Sequence, residues 1–107
     1  MADLTASQIT KHAIMMLNMW GYYVWRNNNL AVRGRKFIGE RGVPDIIGYH
    51  KQTGQAVYCE VKKVGDTIKP DQTLFMGKAK AAGAMCLIAH EVNRQIKLDY
   101  WTEGMKS

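Results

Sequence analysis

Val43-Pro44-Asp45-Ile46-Ile47-Gly48-Tyr49-His50 and Gln55-Ala56-Val57-Tyr58-Cys59-Glu60-Val61-Lys62 are two β-rich runs joined by Lys51-Gln52-Thr53-Gly54, a connection made of turn-forming residues. They read as a hairpin with strands from Val43 to His50 and from Gln55 to Lys62. Two registers are open. A connection that closes symmetrically sets His50 against Gln55 and Asp45 against Glu60, whereas a tighter turn at Thr53-Gly54 sets Asp45 against Lys62. Both have the same parity, because successive side chains on a strand alternate between faces. Asp45, Glu60 and Lys62 therefore share one face, and Ile46, Val57, Cys59 and Val61 share the other as candidate core.

Working outward toward the C-terminus, Pro70 suits the first position of a helix that runs to about Ala82, with Gly83 to stop it. Gln72, Phe75, Met76 and Ala79 fall on one inward stripe of that helix, so a glutamine sits where an apolar residue is expected. Met85 to His90 reads as a buried strand, and the alternation Val92, Arg94, Ile96, Leu98, Tyr100 as another. Glu103 to Ser107 reads as a frayed tail. Toward the N-terminus, Thr5 or Ser7 suits an N-cap, and Ile9, Ala13, Met16, Leu17 and Trp20 form the apolar stripe of a helix ending near Gly21. Tyr22-Tyr23-Val24-Trp25-Arg26 favours a strand. The stretch from Asn27 to Gly42 is turn chemistry followed by a basic loop. These elements predict one domain over 1–107, of α/β or α+β type.

The chain has 107 residues, 47% hydrophobic and 22% charged, with 2 prolines, which excludes a disordered or fibrous chain. The apolar run from Ala84 to Ala89 is about a third of the roughly 20 residues that a membrane span requires. Asp3 stands where a secretory signal carries positive charge and no apolar segment follows, so the expected location is the cytoplasm. Cys59 and Cys86 each sit in an apolar run, and with His12, His50 and His90 dispersed they form no zinc pattern; buried, reduced thiols are expected. Fifteen Lys and Arg against 9 Asp and Glu give a formal charge of +6 and a pI near 9.5. That balance favours a polyanionic partner, nucleic acid first.

Asp45 and Glu60, as close as a cross-strand pair, repel one another unless a cation sits between them. A hard divalent ion such as Mg²⁺ takes oxygen ligands, keeps several waters and turns one into a nucleophile, while Lys62 beside it can orient water or stabilise phosphate charge. The bland alternative is a surface salt-bridge ladder. For Gln72, the alternative to a role beside that cluster is a core glutamine bonded to backbone.

Gly42-Val43-Pro44-Asp45-Ile46-Ile47-Gly48, followed by Tyr58-Cys59-Glu60-Val61-Lys62-Lys63 and then Gln72 with Phe75 and Gly83, resembles the PD-(D/E)xK nuclease superfamily, and within it the VRR-NUC family. The likeness runs from Gln8-Ile9 to about His90. It implies an α/β, restriction-endonuclease-like core with a central mixed β-sheet flanked by helices. It also implies a Mg²⁺-dependent DNA endonuclease, with Mn²⁺ able to substitute, that leaves 5′-phosphate and 3′-hydroxyl ends. On this resemblance Asp45, Glu60 and the Val61 carbonyl are metal ligands, Lys62 is the catalytic lysine, and Gln72 matches the family's helix-borne glutamine. Stand-alone domains of this kind resemble resolvases of Holliday or other branched junctions. No organic cofactor is expected.

Two positions depart from the family. Gln8 stands where relatives often have a glutamate near the metal; with His12 it lies on a stripe that can face the cleft edge as an outer support of the site, or simply face solvent. Lys69 stands where a Ser or Thr usually caps the second helix. Arg26, Arg33, Arg35, Lys36 and Arg41 would form one basic rim and Lys63 and Lys69 the other, reading phosphates without regard to base sequence. A non-catalytic DNA-binding module, or a nuclease acting on other DNA or RNA structures, is the rival reading. Resolving a four-way junction takes two paired nicks, so one cluster per chain predicts a homodimer. Tyr22, Tyr23, Trp25, Tyr100 and Trp101 are candidate interface aromatics, unless they complete the core.

Overall fold

Thr5 starts the first helix, α1 (Ala6–Met19). Its hydroxyl accepts the Gln8 N–H at 3.1 Å, and the Gln8 side-chain oxygen accepts the Thr5 N–H at 2.8 Å. This reciprocal capping box selects Thr5 over Ser7 as the cap. The structure, a computed structural model, describes residues 3–27 and 40–105. Ile9, Ala13 and Leu17 are fully buried along α1. Trp20, expected on the same stripe, is 56% exposed, because the helix ends at Met19 and Trp20 caps it outside the packed face.

The chain continues through β1 (Tyr22–Arg26), β2 (Ile46–His50), β3 (Ala56–Lys62), α2 (Pro70–Ala81), β4 (Met85–Val92) and β5 (Gln95–Tyr100). The five strands form one sheet in sequence order, antiparallel from β1 to β3, parallel between β3 and β4, and antiparallel again to β5. The parallel step needs a crossover, and α2 is that crossover. Alternation along the strands divides the core in two. Ile46, Val57, Cys59, Val61, Leu87 and Ala89 pack against Ile9, Ala13 and Leu17 of α1. Cys86 and Ile88 pack with Met76 of α2 and with Trp101 on the other face, where Tyr58 and Phe75 meet edge to face at 5.0 Å. Each fully buried Ile, Leu or Met in these layers contributes ~1.5–3 kcal/mol. The architecture is the α/β mixed sheet with flanking helices that the sequence predicts.

The hairpin adopts the register that opposes Asp45 to Glu60: Ile46 pairs with Cys59, Tyr49 with Ala56, and the His50 N–H donates to the Gln55 carbonyl at 2.9 Å. β2 is shorter than the run from Val43 suggests. Pro44 has no N–H to give a ladder, is fully buried, and ends the pairing at Ile46. At the other end of the sheet, the alternation from Val92 is broken by a turn at Asn93 and Arg94, both with positive φ (51° and 65°), the geometry of a tight hairpin. Of the segment read as a frayed tail, Glu103 to Ser107, Met105 joins the α2-side core; ahead of it Trp101 is 3% exposed and its N–H donates to the Cys86 carbonyl at 2.8 Å. Cys59 and Cys86 are buried free thiols; burial pushes Cys59 well above the usual thiol range and raises Cys86. Among the described residues no helix is long and apolar enough to cross a membrane.

Candidate active site

The early end of β2 creates the site. Val61 of β3 has no strand partner on that side, and its N–H donates instead to Asp45 Oδ2 at 3.0 Å. The N–H and C=O of one strand residue point to the same side, so the Val61 carbonyl faces the same opening as Asp45. Glu60, one residue earlier, turns its side chain to the α2 face and is 3% exposed. The Asp45 carboxyl lies within hydrogen-bonding reach of it, yet Glu60 Oε2 is buried with no hydrogen-bond partner among the described residues.

A buried, unpartnered carboxylate oxygen costs free energy that only a proton or a cation can offset. Glu60 shows this directly: burial, and after it the neighbouring Asp45, push its pKa up to about 9 against the pull of Lys62. Two carboxylates and a backbone carbonyl are an all-oxygen donor set, which suits a hard divalent cation. Among the described residues no group of three His, Cys, Asp or Glu side chains gathers to make a richer set, so an ion held here would keep water ligands.

The raised pKa has a consequence for stability. Between the ordinary glutamate value of 4.5 and about 9, the folded state holds a proton that the unfolded state has released, so stability falls as pH rises through that window. In chelator, wild-type protein is expected to lose melting temperature from pH 5 to pH 9 relative to Glu60→Gln, by at least about 4 °C, the shift that 1 kcal/mol produces in a domain of this size. Mg²⁺ at pH 8 should raise the melting point of wild type more than that of the variant. Parallel pH curves for the two proteins would contradict this reading of Glu60.

Lys62 is 6% exposed. Its Nζ donates to the Thr67 carbonyl at 2.9 Å and to Gln72 Oε1 at 2.8 Å, which uses two of its three N–H bonds. Gln72 Oε1 also accepts the Lys69 N–H at 2.9 Å. Lys69 at the N-cap of α2 has no side-chain acceptor, so Gln72 from the first turn supplies the missing cap oxygen while fixing Lys62. This double role accounts for the glutamine on an otherwise apolar stripe.

Asp45, Glu60 and Gln72 open into a cleft of about 340 Å³, together with Arg41, Lys69 and Asp71. Arg41 and Lys69, expected on opposite rims, both reach it. Arg26 is exposed at the end of β1, beside Asn27, whose N–H donates to the Asp45 carbonyl at 2.7 Å. Lys62 and the exposed Lys63 line a second pocket of about 310 Å³, so Lys62 reaches the cleft through its bond to Gln72 and not as part of the cleft lining. Arg33, Arg35 and Lys36 lie outside the described residues. Gln8 is exposed with its side-chain oxygen engaged in the α1 cap, and His12 is exposed. Neither makes a hydrogen bond to Asp45 or Glu60, and α1 packs on the sheet face away from Glu60. Three participants were not foreseen from the sequence: the Thr67 carbonyl, Glu40 and Asp71. A backbone acceptor has no sequence signal, and an acid at the second position of a helix reads as a partner for the helix dipole.

The arrangement of sheet and crossover helix has a counterpart among solved structures. The chain superimposes on Archaeoglobus fulgidus Hjc, a Holliday junction resolvase from an archaeal hyperthermophile, with a TM-score of 0.62, covering 88% of this chain and 75% of that one. The fold is restriction-endonuclease-like. At 16% identity the likeness is one of fold. No family model matches the chain, and no curated protein does. In the restriction-endonuclease-like frame, Asp45, Glu60 and Lys62 occupy the start of one strand and the end of its hairpin partner, where the sheet opens beside the crossover helix.

Proposed function

We propose that the protein is a Mg²⁺-dependent, structure-selective DNA endonuclease of VRR-NUC type that cuts Holliday or other branched junctions as a homodimer. The observation that carries the reading is the pair Asp45 and Glu60, with its unpartnered buried oxygen, set beside an immobilised Lys62 on a nuclease-type fold. Asp45, Glu60 and the Val61 carbonyl would hold a divalent ion, Mg²⁺ or Mn²⁺ in its place, which when bound supplies an activated water for in-line attack on a phosphodiester.

The chain's own residues do the rest. The Val61 N–H fixes the Asp45 carboxylate, so one ligand is set before any ion arrives. Gln72, which lines the cleft, and the Thr67 carbonyl hold the Lys62 ammonium behind it, leaving one N–H to meet a phosphate oxygen or the incoming water. Arg41 and Lys69 line the cleft and Arg26 and Lys63 flank it, where cations hold a backbone of phosphates without reading bases. Gln8 and His12 are proposed only as outer supports of the site.

The similarity to a resolvase fold supports a branched substrate, and two symmetric nicks ask for two copies of the cluster. Tyr22 and Trp101 complete the core instead of serving an interface, whereas Tyr23, Trp25 and Tyr100 stay at the surface, on the two opposite edge strands. The deciding experiment is a cleavage panel of duplex, flap, four-way junction, single-stranded DNA and RNA in Mg²⁺, in Mn²⁺ and in chelator, with light scattering at micromolar concentration. Paired nicks in the four-way junction by a species of dimer mass are expected. A monomer that makes independent single nicks would refute the dimer and the resolvase reading together, and inactivity on the whole panel would refute the nuclease.

A further inference from the structure

α2 covers the sheet over β3 and β4, and among the described residues no element packs on the same face over β1 and β2. Three aromatic side chains stand there: Tyr23 and Trp25 from alternate positions of β1, and Tyr49, the direct cross-strand partner of Tyr23. They are 51%, 43% and 43% exposed, far more than rings that belong to a core. They touch one another in a closed triangle, with centroids 5.5 Å apart for Tyr23 and Trp25, 5.6 Å for Tyr23 and Tyr49, and 6.5 Å for Trp25 and Tyr49. The planes are tilted or perpendicular, so the rings brace each other by edges.

The position of the cluster matters as much as its chemistry. Trp25 pairs with Ile47, and Asp45 precedes Ile47 by two residues, one step along the same face. The aromatic surface therefore leads into the catalytic cleft. Arg26 follows Trp25 and Lys51 follows the strand that carries Tyr49, and both are exposed, so the patch is edged by cations in a chain of charge +6.

Three candidates for the occupant differ in what they require. Among the described residues no side chain covers the three rings, which keep about half of their surface open. A second copy needs about 800 Å² per partner for a stable interface, whereas three half-exposed rings offer on the order of 300 Å². Unpaired bases need only flat rings beside a cationic track, and each base has a face to stack.

We propose that Tyr23, Trp25 and Tyr49 form a stacking platform for unpaired or unstacked DNA bases next to the phosphate that the cleft receives. The proposal rests on the nuclease reading and adds to it: Arg and Lys hold the backbone, and the platform selects substrates whose bases are free at a branch point. Selection of open structures over duplex then follows from chemistry on the sheet face, with no reading of base sequence.

The test measures binding apart from cleavage. In chelator, affinities for a fluorescein-labelled single strand, a four-way junction and a continuous duplex are compared for wild type, Tyr23→Leu/Tyr49→Leu, Trp25→Leu, and the aromatic-preserving Tyr23→Phe/Tyr49→Phe and Trp25→Phe. The leucine variants should lose roughly five- to a hundredfold on the single strand and junction, with duplex binding within about twofold, and the phenylalanine variants should bind as wild type. Equal losses on all three DNAs, no loss on any, or leucine variants that no longer melt cooperatively while the phenylalanine variants bind normally to duplex only, would overturn the platform. So would a dimer by light scattering that the leucine changes convert to monomer, since the face would then belong to a second copy. The two readings separate cleanly: aromatic-dependent binding by a protein that cuts nothing in Mg²⁺ leaves the platform and removes the nuclease, and cleavage unaffected by the leucine changes does the reverse.

Discussion

If the protein cleaves DNA as proposed, Asp45→Ala, Glu60→Ala and Lys62→Ala are each expected to lose at least a hundred- to a thousandfold in cleavage rate, the scale on which a single preorganised charge acts in a catalytic site. The reasons differ by residue. Asp45→Ala removes a carboxylate whose position is already fixed by the Val61 N–H. Glu60→Ala removes the buried oxygen that has no partner among the described residues, so the fold is expected to be as stable or more stable without it. Lys62→Ala leaves the Thr67 carbonyl and the Gln72 amide without their ammonium and should cost some stability as well as activity. Affinity for DNA should stay near wild type in both acidic variants, because phosphate contacts come from Arg and Lys, and Glu60, which holds its proton up to about pH 9, contributes no repulsive charge without an ion. Gln72→Ala, which releases Lys62 without removing it, should be milder, about tenfold. Single-turnover cleavage and DNA titration on the same preparations check all four, and wild-type turnover in any of the first three would sink the site.

Gly42→Ala should damage both the fold and the site through one methyl group. Gly42 has φ +77°, and a Cβ placed on it would lie 2.2 Å from the carbonyl oxygen of Asp71 in the first turn of α2. The left-handed conformation alone costs an alanine ~1–2 kcal/mol. The clash is with backbone and cannot be relieved by a side-chain rotation, so either the helix start or the loop that carries Pro44 and Asp45 must move. Gly54 provides the control: its φ is +75°, but nothing lies within 4 Å of the added carbon. Gly54→Ala should lose only the strain, a few degrees of melting temperature, with cleavage intact. Gly42→Ala should melt lower than Gly54→Ala and lose at least tenfold in cleavage rate. Identical behaviour of the two variants would show that the contact with Asp71 does not position the site.

The elements were legible where a short-range rule governs them. The Lys51 to Gly54 connection fixes the hairpin, Pro70 fixes the start of α2, and the alternation of Ile46, Val57, Cys59 and Val61 fixes the core face. The misread boundaries have long-range causes. Val43 to Asp45 has strand-like composition, but the buried Pro44 leaves the ladder. Trp20 fits a helical stripe by spacing, but the helix stops one residue short of it. The segment after Glu103 is short and polar, yet Met105 finds the apolar side of α2. No periodicity within a segment reports what another segment will place beside it.

For the candidate site the division is similar. The sequence by itself determined that Asp45, Glu60 and Lys62 share a sheet face, because parity is a local property of the chain and survives either hairpin register. It also marked Gln72 as a polar residue out of place. Only the tertiary structure decided the rest. Among these are the partner of Gln72, the choice of the register that opposes Asp45 to Glu60, the Val61 N–H as the anchor of Asp45, and the burial that leaves Glu60 with an unpartnered oxygen. Each depends on how separate elements close on one another, through contacts of about 3 Å or through the burial they create, and no local pattern reports that. Side-chain identity states what a residue can do, and the surroundings that fix its charge and direction exist only once the sheet, its crossover helix and the loop at Gly42 have closed around it.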